Sequence, residues 1–400
     1  MKKNSLLICL IVLLLACVKN DTIIREIPFE FEGNNNAPNL VSNNGFLTLS
    51  WIKSGKDREA TLQYSQLKKD NWENPKNVVT GTNWFINWAD FPANAINDDL
   101  ILTSYLKKSE ESTYSYDVIL NLQNLSGIPI KENFLLNTDG VKAEHGFVSM
   151  IPNKKNGFFV TWLDGRNTVK THSDSHHKPM TIRVAEVSKN GTIFNENEID
   201  GSTCDCCQTS ITLAPNGPIV VYRDRSNEEI RDIYIARNVD GVWLSPKPVF
   251  NDNWQIKGCP VNGPKIVSYT KNIAVVWFTE ANNRPSVNLS FSFDEGSFFE
   301  SPIQINDGIA IGRVDAVFLN SKEVLVSYME DFENNTYLKC KKVSLNGVSS
   351  KAFVIAKLEG GRATGVPQLE VFEDNVYAVW TVSKGTNKQL KSVKFNVEKL

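Results

Sequence analysis

The sequence predicts an all-β protein, a β-propeller built from four-stranded antiparallel blades. A short β-rich run that ends in an aromatic residue recurs seven times, at intervals of 51 to 60 residues. After the N-terminal apolar segment, no stretch shows an apolar period of 3.6 residues, so helix is expected to be nearly absent. The aromatics that end the seven runs are Trp51, Tyr105, Trp162, Tyr222, Trp277, Tyr328 and Trp380.

Each repeat has the pattern of four strands. An apolar strand and a turn containing Gly, Asn or Asp precede the recurring run, and a polar loop with an alternating strand follows it. A fourth, less regular strand completes the unit. Four antiparallel strands repeated at one period are typical of a propeller blade.

The two ends of the repeat region predict how the ring closes. The last repeat stops after its third strand, near residues 391–396, and an unassigned strand at residues 23–31 could supply the missing fourth. Such pairing would remove the open sheet edges. We therefore expect a single domain over 23–400 with seven blades, or six if the first or last repeat is not a full blade.

The N-terminus has the pattern of an export signal. Lys2 and Lys3 precede an apolar run, 6–15, that is too short to span a bilayer. The run ends in a segment resembling the bacterial lipoprotein box, in which Cys17 would be lipidated. We expect a signal peptide over 1–16, a tether over 17–22 and attachment to a membrane of the bacterial cell envelope.

Net charge and cysteine content limit the kinds of partner that the sequence predicts. With 43 basic and 45 acidic side chains the net charge is -2, so nothing indicates a nucleic-acid partner. Export permits oxidation of the remaining cysteines. Once Cys9 and Cys17 are set aside, the remaining cysteines are Cys204, Cys206, Cys207, Cys259 and Cys340.

The close spacing of Cys204, Cys206 and Cys207 is the most specific chemical signal. Cys259 begins the next repeat, so it should lie beside them. Three interpretations remain open: a disulfide between Cys259 and Cys204 or Cys206, a thiolate site for zinc or copper with His145 as a further candidate ligand, or free thiols.

Unusual residues are predicted to gather on one face. The inner strand of a blade starts on the face onto which the loop between its second and third strands opens, which we call the top face. All four histidines and four of the five remaining cysteines are assigned to it. His172, His176 and His177, with Asp174, belong either to a solvated loop or to a divalent-ion site.

Two motifs carry a family resemblance. Ser292, Asp294, Gly296 and Phe299 resemble the Asp-box of sialidase-like propellers, a structural turn. A wider pattern resembles a group of exported bacterial proteins labelled sialidase-like, and this resemblance implies the fold more firmly than the activity. Its segments are 162–166, 204–209, 221–225, 231–233 and 258–264.

The resemblance implies candidates for an exo-sialidase-like glycoside hydrolase. That mechanism needs arginines that grip a carboxylate, a Tyr nucleophile paired with Glu, and an Asp acid/base. The expected Arg-Ile-Pro element is missing, and no Tyr/Glu pair can be assigned; the arginines could instead brace loops. The candidate catalytic residues are Asp90, Arg166, Arg223, Arg225, Arg313 and Asp315.

Two functional hypotheses follow. The first is a lipid-anchored, sialidase-like propeller that binds or hydrolyses glycans or a small ligand on its top face. The second is a non-catalytic propeller that binds metal or protein through the cysteines. Trp84, Trp88 and Trp254 lie outside the repeat register and are candidates for sugar stacking or for rim packing.

Overall fold

The computed structural model describes residues 24–43, 45–153, 155, 157–169 and 179–396. In these residues the strands form seven antiparallel sheets, and helix is limited to two 3₁₀ turns, Ala281–Asn283 and Arg362–Thr364. The seven-bladed propeller predicted from the repeats is confirmed, and the six-bladed alternative is wrong.

The first strand, β1 (Ile24–Ile27), belongs to the last blade. Blade 1 contains β2 (Asn34–Asn43), β3 (Phe46–Ser54), β4 (Ala60–Lys68), β5 (Asn71–Trp72) and β6 (Lys76–Gly81). Blade 2 contains β7 (Asn94–Asn97), β8 (Leu100–Lys108), β9 (Tyr116–Asn124) and β10 (Pro129–Leu135). Blade 3 contains β11 (His145–Asn153), β12 (Gly157–Asp164), β13 (Met180–Ser188) and β14 (Ile193–Thr203).

The remaining blades follow the same order from the channel outwards. Blade 4 contains β15 (Ser210–Ala214), β16 (Gly217–Arg223), β17 (Ile233–Val239), β18 (Val242–Trp243) and β19 (Lys247–Pro248). Blade 5 contains β20 (Lys265–Tyr269), β21 (Asn272–Thr279), β22 (Ser286–Ser292) and β23 (Ile303–Gln304). Blade 6 contains β24 (Ile309–Asn320), β25 (Glu323–Phe332), β26 (Asn335–Ser344) and β27 (Phe353–Leu358). Blade 7 contains β28 (Gln368–Phe372), β29 (Asn375–Lys384), β30 (Asn387–Asn396) and β1.

The recurring apolar run is the second strand of every blade. This strand is covered by neighbouring blades on both faces, which accounts for its near-continuous apolar sequence. The side chains of Trp51, Trp162 and Trp277 are fully buried there. The repeated aromatic therefore packs between blades.

The ring closes through β1. It pairs antiparallel with β30, from Ile24 opposite Phe395 to Ile27 opposite Ser392. The Ser392 hydroxyl donates to the Ile27 carbonyl at 2.8 Å and accepts from the Trp72 indole at 2.9 Å. The N-terminal strand thus completes the last blade, as its position in the sequence predicts.

Polar side chains join neighbouring blades around the central channel. The seven inner strands line a cavity of about 280 Å³. Polar side chains on or beside these strands bond from one blade to the next, which satisfies groups that would be costly to bury unpaired. Such contacts are Asn39 with Asn94, Asn97 with Gly157, Ser149 with Thr209, Thr212 with Ser268, Lys265 with Asp315, and Asn39 with Gln368.

The turn between β22 and β23 carries the Asp-box-like motif. The Ser292 hydroxyl donates to Asp294 at 2.7 Å and accepts from the Gly296 N–H at 2.9 Å. The Asp294 carboxylate also accepts the Phe298 N–H at 2.9 Å, and Phe299 packs against the core between blades 4 and 5. These residues brace a hairpin and take no part in a site.

The predicted signal peptide (1–16) and tether (17–22), with Cys17, lie outside the described residues. Within the described part of the chain, no helix is both long enough and apolar enough to cross a membrane.

Replacing Ile27 by alanine should destabilise the whole propeller. Ile27 is 1% exposed, and loss of a buried aliphatic side chain costs about 2–5 kcal/mol. Urea unfolding should show this loss. The neighbouring variant Glu26→Ala, which removes only an exposed ion pair with Lys391, should change stability by less than about 1 kcal/mol. Equal effects of the two variants would contradict closure through β1.

Candidate functional site

The top face is formed as expected from two sets of loops. Loops that enter the inner strands are bonded to loops between the second and third strands. The Gly165 N–H donates to the Glu144 carbonyl at 2.8 Å, and the Cys204 N–H donates to the Arg223 carbonyl at 2.9 Å. Residues far apart in sequence are thereby held beside one another.

Cys204, Cys206 and Cys207, which we call the thiol cluster, lie in the turn before β15. The Cys204 sulfur is 3.7 Å from that of Cys206 and 3.5 Å from that of Cys207. Cys259, from the loop that enters blade 5, lies against Asp205. All five cysteines of the described chain are free, and Cys340 is buried apart from the others in β26. The adjacency predicted for Cys259 is observed, and the described residues contain no disulfide.

Two buried guanidinium groups flank the thiol cluster. Arg231 donates to the Cys204 sulfur at 3.1 Å and is held by Glu229 at 2.8 Å. Arg223 is 1% exposed and donates to the backbone carbonyls of residues 231, 262 and 278. The positive charge of both groups favours negative sulfur nearby.

The three thiols have unequal acidity. Hydrogen bonds from Cys206 and Cys207, with a smaller effect of the Arg231 charge, hold the pKa of Cys204 well below its ordinary value. Hydrogen bonding to Cys204 raises the pKa of Cys206, and burial raises the pKa of Cys207. These shifts favour negative charge on Cys204 over the other two sulfurs, and the thiolate is the form of sulfur that is nucleophilic and binds metal.

Asp90, Tyr116 and Glu144, which we call the acid cluster, lie at the entrances to blades 2 and 3. The Tyr116 hydroxyl donates to Glu144 at 2.7 Å and lies 3.5 Å from Asp90. Asp90 accepts the Phe147 N–H at 2.7 Å. Gly146 makes this approach possible, because a Cβ there would lie 2.1 Å from an Asp90 oxygen.

Burial sets the protonation of the acid cluster. It raises the pKa of Asp90 well above its usual range, although the hydrogen bond from the Phe147 N–H opposes this rise. Burial also raises the pKa of Glu144 to about 7; the Tyr116 hydrogen bond opposes this rise and the Asp205 charge adds to it. Since Glu144 is half-buried and Tyr116 is fully buried, Glu144 is the group that a ligand can reach.

His145 occupies a separate charged cluster. Its Nε2 lies 3.2 Å from Asp139 and 3.7 Å from Asp164, and its Nδ1 lies 3.1 Å from the Tyr116 carbonyl. Arg166 binds the same two aspartates, at 3.3 Å and 2.7 Å. Because a cation already occupies these carboxylates, the arrangement is an ion network. His145 is not among the groups within bonding distance of the thiol cluster.

The pKa of His145 reflects this network. Burial alone would lower it, but the hydrogen bond with Asp139 and the charges of Asp164 and Asp139 outweigh burial and raise the pKa. Burial likewise opposes ionisation of Asp139, yet the bond with His145 helps to lower the pKa of Asp139 to about 2. Each group of the pair thus favours the charged form of the other.

The arginines proposed to grip a carboxylate do not converge. Arg166 is paired with Asp164 and Glu196, and Arg225 is paired with Glu229 at 2.7 Å. Arg223 is bonded to backbone carbonyls. All three arginines therefore hold loops in place, which is the alternative role stated above for them.

Arg313 and Asp315 also have partners inside the fold. Arg313 donates to the carbonyls of residues 361 and 365 and lies over the ring of Trp88, 4.4 Å from its centroid. Burial, with the charge of Arg362, lowers the pKa of Arg313 to about 10, so it stays protonated at neutral pH. Asp315 pairs with Lys265 at 2.8 Å in the channel. Both residues line the channel cavity, as Asp90 of the acid cluster also does.

The off-register tryptophans are packed. Trp84 stacks on Tyr105 with centroids 4.3 Å apart, and Trp254 lies beneath Arg223. Trp88 lies beneath Arg313. An aromatic group that remains open is Tyr114, 62% exposed, which contacts Phe85 edge-on. Phe85 stacks in turn on Tyr116, with centroids 4.1 Å apart.

Sequence reasoning did not find Tyr116 or its bond to Glu144. Tyr116 is the first residue of β9 in blade 2, whereas Glu144 directly precedes β11 in blade 3, so no pattern within one repeat connects them. The proposed site of His172, Asp174, His176 and His177 lies outside the described residues.

The fold defines a seven-bladed β-propeller with a chemically dense top face. No protein-family model matches the chain, and a search of the curated proteins finds no match. Solved structures do resemble it. An ulvan lyase of family PL25 is 10% identical with a TM-score of 0.56, covering 92% of this chain and 95% of that one.

Two further solved structures have the same overall shape. A protein of unknown function from Dyadobacter fermentans is 12% identical with a TM-score of 0.50, covering 94% of this chain and 99% of that one. The endosialidase of phage phi92 is 10% identical with a TM-score of 0.50, covering 94% and 69%. At these identities the likeness shows the fold.

Replacing His145 by asparagine should destabilise the protein in a pH-dependent way. A folded-state pKa raised above 6.5 adds stability that is complete below that value and is lost as pH rises through the folded-state pKa. The variant should therefore lose about 3 kcal/mol near pH 5.5 and less near pH 9 in urea unfolding. The exposed control Lys142→Ala should show no such trend. An equal loss at both pH values would contradict a charged His145.

Proposed function

We propose that this protein is an exported, lipid-anchored propeller that binds and cleaves a polymeric glycan on its top face. The observation that carries the proposal is the hydrogen bond between Tyr116 and Glu144 beside the buried Asp90. A tyrosine paired with a glutamate is what the resemblance to sialidases implied, and no such pair was assignable from sequence.

The acid cluster has the properties needed for acid–base cleavage. With a pKa of about 7, Glu144 is present in both protonation states at neutral pH and can donate or accept a proton there. Buried Tyr116 holds its carboxyl in one orientation, so Tyr116 is a positioning residue and Glu144 is the catalytic candidate. Burial is the main cause of this high pKa of Glu144, and the nearby Asp205 charge adds to it.

The surroundings favour a polymer over a terminal sialic acid. The four candidate arginines are each bonded within the protein, so none is free to form the carboxylate grip of a sialidase. Exposed Tyr114 and its neighbour Phe85 offer an apolar surface beside the acid cluster, as sites that hold extended ligands require. Structural neighbours titled polysaccharide lyase and endosialidase support this substrate class.

Glu144→Gln should abolish most glycan cleavage. Removal of a general acid or base lowers kcat by about 100-fold or more, with little change in KM. A panel of acidic and neutral polysaccharides, assayed for reducing ends and for unsaturated products, distinguishes hydrolysis from elimination. The control Glu110→Gln, an exposed glutamate in the loop between β8 and β9, should retain activity. No cleavage of any glycan by the wild-type chain, or full activity of Glu144→Gln, would refute the proposal.

Tyr116→Phe should shift the pH profile upwards. The tyrosine hydrogen bond lowers the pKa of Glu144, so its loss should raise that pKa further above 7. The part of the pH profile of kcat/KM that reports the ionisation of Glu144 should move to higher pH. Circular dichroism should show that the fold is unchanged. A lower rate with that part of the profile unmoved would assign Tyr116 a packing role only.

The anchor is tested separately. Cys17→Ala should move the chain from the membrane fraction to the soluble fraction of the cell envelope, because a lipidated cysteine supplies the membrane affinity. Fractionation and labelling with a radioactive fatty acid measure this change. Cys9→Ala, inside the predicted signal, should leave the mature chain in the membrane. An unlabelled wild-type chain would rule out lipidation.

A further inference from the structure

We infer that Cys204, Cys206, Cys207 and Cys259 bind one soft d¹⁰ metal ion, Zn²⁺ or Cu(I), through their thiolates. The inference is independent of glycan cleavage and concerns different residues. It rests on the spacing of the sulfur atoms, on the buried charge around them and on an open side through which an ion can enter.

The sulfur atoms have the spacing of a thiolate site. Four sulfurs at the roughly 2.3 Å Zn–S distance of a tetrahedral site lie about 3.8 Å apart. The distances from Cys204 to Cys206 and Cys207 are 3.7 and 3.5 Å. The sulfurs of all three cysteines lie within 4.8 Å of one another, so a single ion can contact them together.

Cys259 is the candidate for the fourth position because it adjoins the thiol cluster at Cys206. Its sulfur, the Cys206 sulfur and an oxygen of Asp205 lie within 4.8 Å of one another. Cys259 is exposed whereas Cys204 and Cys207 are buried, so the site is closed below and open towards solvent. The four sulfurs come from the entrances of blades 4 and 5, and an ion there would join those blades.

The surrounding charge suits a thiolate complex. Zn²⁺ with four thiolates, or Cu(I) with three, carries a net charge of roughly −2. Two buried guanidinium groups face this charge: Arg231 bonds Cys204 at 3.1 Å, and the charge of Arg223 acts on Cys207. Arg231 is oriented by Glu229, the kind of outer partner that fixes a metal ligand. A disulfide would employ two of these sulfurs and leave the others beside buried positive charge.

Among the residues that the structure describes, the other clusters do not offer such a site. Asp139, His145 and Asp164 could chelate by distance, but Arg166 is bound to their carboxylates. Asp315 in the channel is neutralised by Lys265. In the thiol cluster, by contrast, Arg231 donates a hydrogen bond to the Cys204 sulfur, and the sulfurs contact one another.

The inference is tested by titrating the purified, reduced full chain, without oxygen, with Co²⁺ alone. One equivalent should give intense sulfur-to-cobalt charge-transfer absorption and the visible bands of a tetrahedral ion. Zn²⁺ should then displace it. A separate titration with Cu(I) against a colorimetric chelator shows which of the two ions binds more tightly. Alkylation followed by peptide mass spectrometry should find the four cysteines protected by metal.

Variants separate a metal site from a structural role. Cys259→Ser alters an exposed side chain, so the fold should be retained. Because it removes a direct ligand, it should weaken metal binding by more than the roughly 10- to 100-fold that follows from losing an outer partner. Arg231→Gln should weaken binding by about 10- to 100-fold. Cys340→Ala, which removes a distant cysteine, should bind as the wild type does.

Two results would overturn the inference. One is no uptake of Co²⁺, Zn²⁺ or Cu(I) by the reduced chain while circular dichroism shows it folded. The other is metal uptake that Cys259→Ser and Arg231→Gln leave unchanged. A disulfide from Cys259 to Cys204 or Cys206 that re-forms in air, together with no metal uptake after reduction, would also overturn the inference. Because glycan cleavage is assayed separately through Glu144, failure of either proposal is distinguishable from failure of the other.

Discussion

The pairing of β1 with β30 is the constraint on which the rest of the molecule depends. Once the first and last of the seven sheets are joined, the position of every blade around the axis is fixed, because each inner strand must then contact the inner strands on both sides of it. The polar contacts around the channel, such as Asn39 with both Asn94 and Gln368, require that closed register. Burial of the second strands of all seven blades follows from the same closure.

Closure also explains why charge is buried on the top face. The entrances of neighbouring blades meet there with backbone carbonyls that lack strand partners, and Arg223 satisfies those of residues 231, 262 and 278. A buried guanidinium group is tolerated because its donors are bonded. This rigid base supports Arg231 and the thiol cluster above it, and Arg313 has the same role between blades 6 and 7.

Much of the fold was predictable because repeats leave a strong local signal. The spacing of Trp51, Trp162 and Trp277 predicted the second strands, and the position of Cys259 one repeat after the thiol cluster predicted that it would lie beside that cluster. The contacts that long side chains make were not predictable. Arg223 lies in a charged sequence yet bonds carbonyls, and Tyr116 meets Glu144 across two blades. Such contacts depend on the relative rotation of blades, which no pattern within one repeat encodes.

The direction of β1 has a consequence for orientation. The third strand of a blade descends from the top face, so β1, antiparallel to β30, ascends from the bottom face before the chain enters β2. Under the proposed anchoring, the membrane lies below the disc and the thiol and acid clusters face outwards. A tether of a few residues would then present the reactive surface to long polymers arriving from outside, instead of to molecules confined near the lipid.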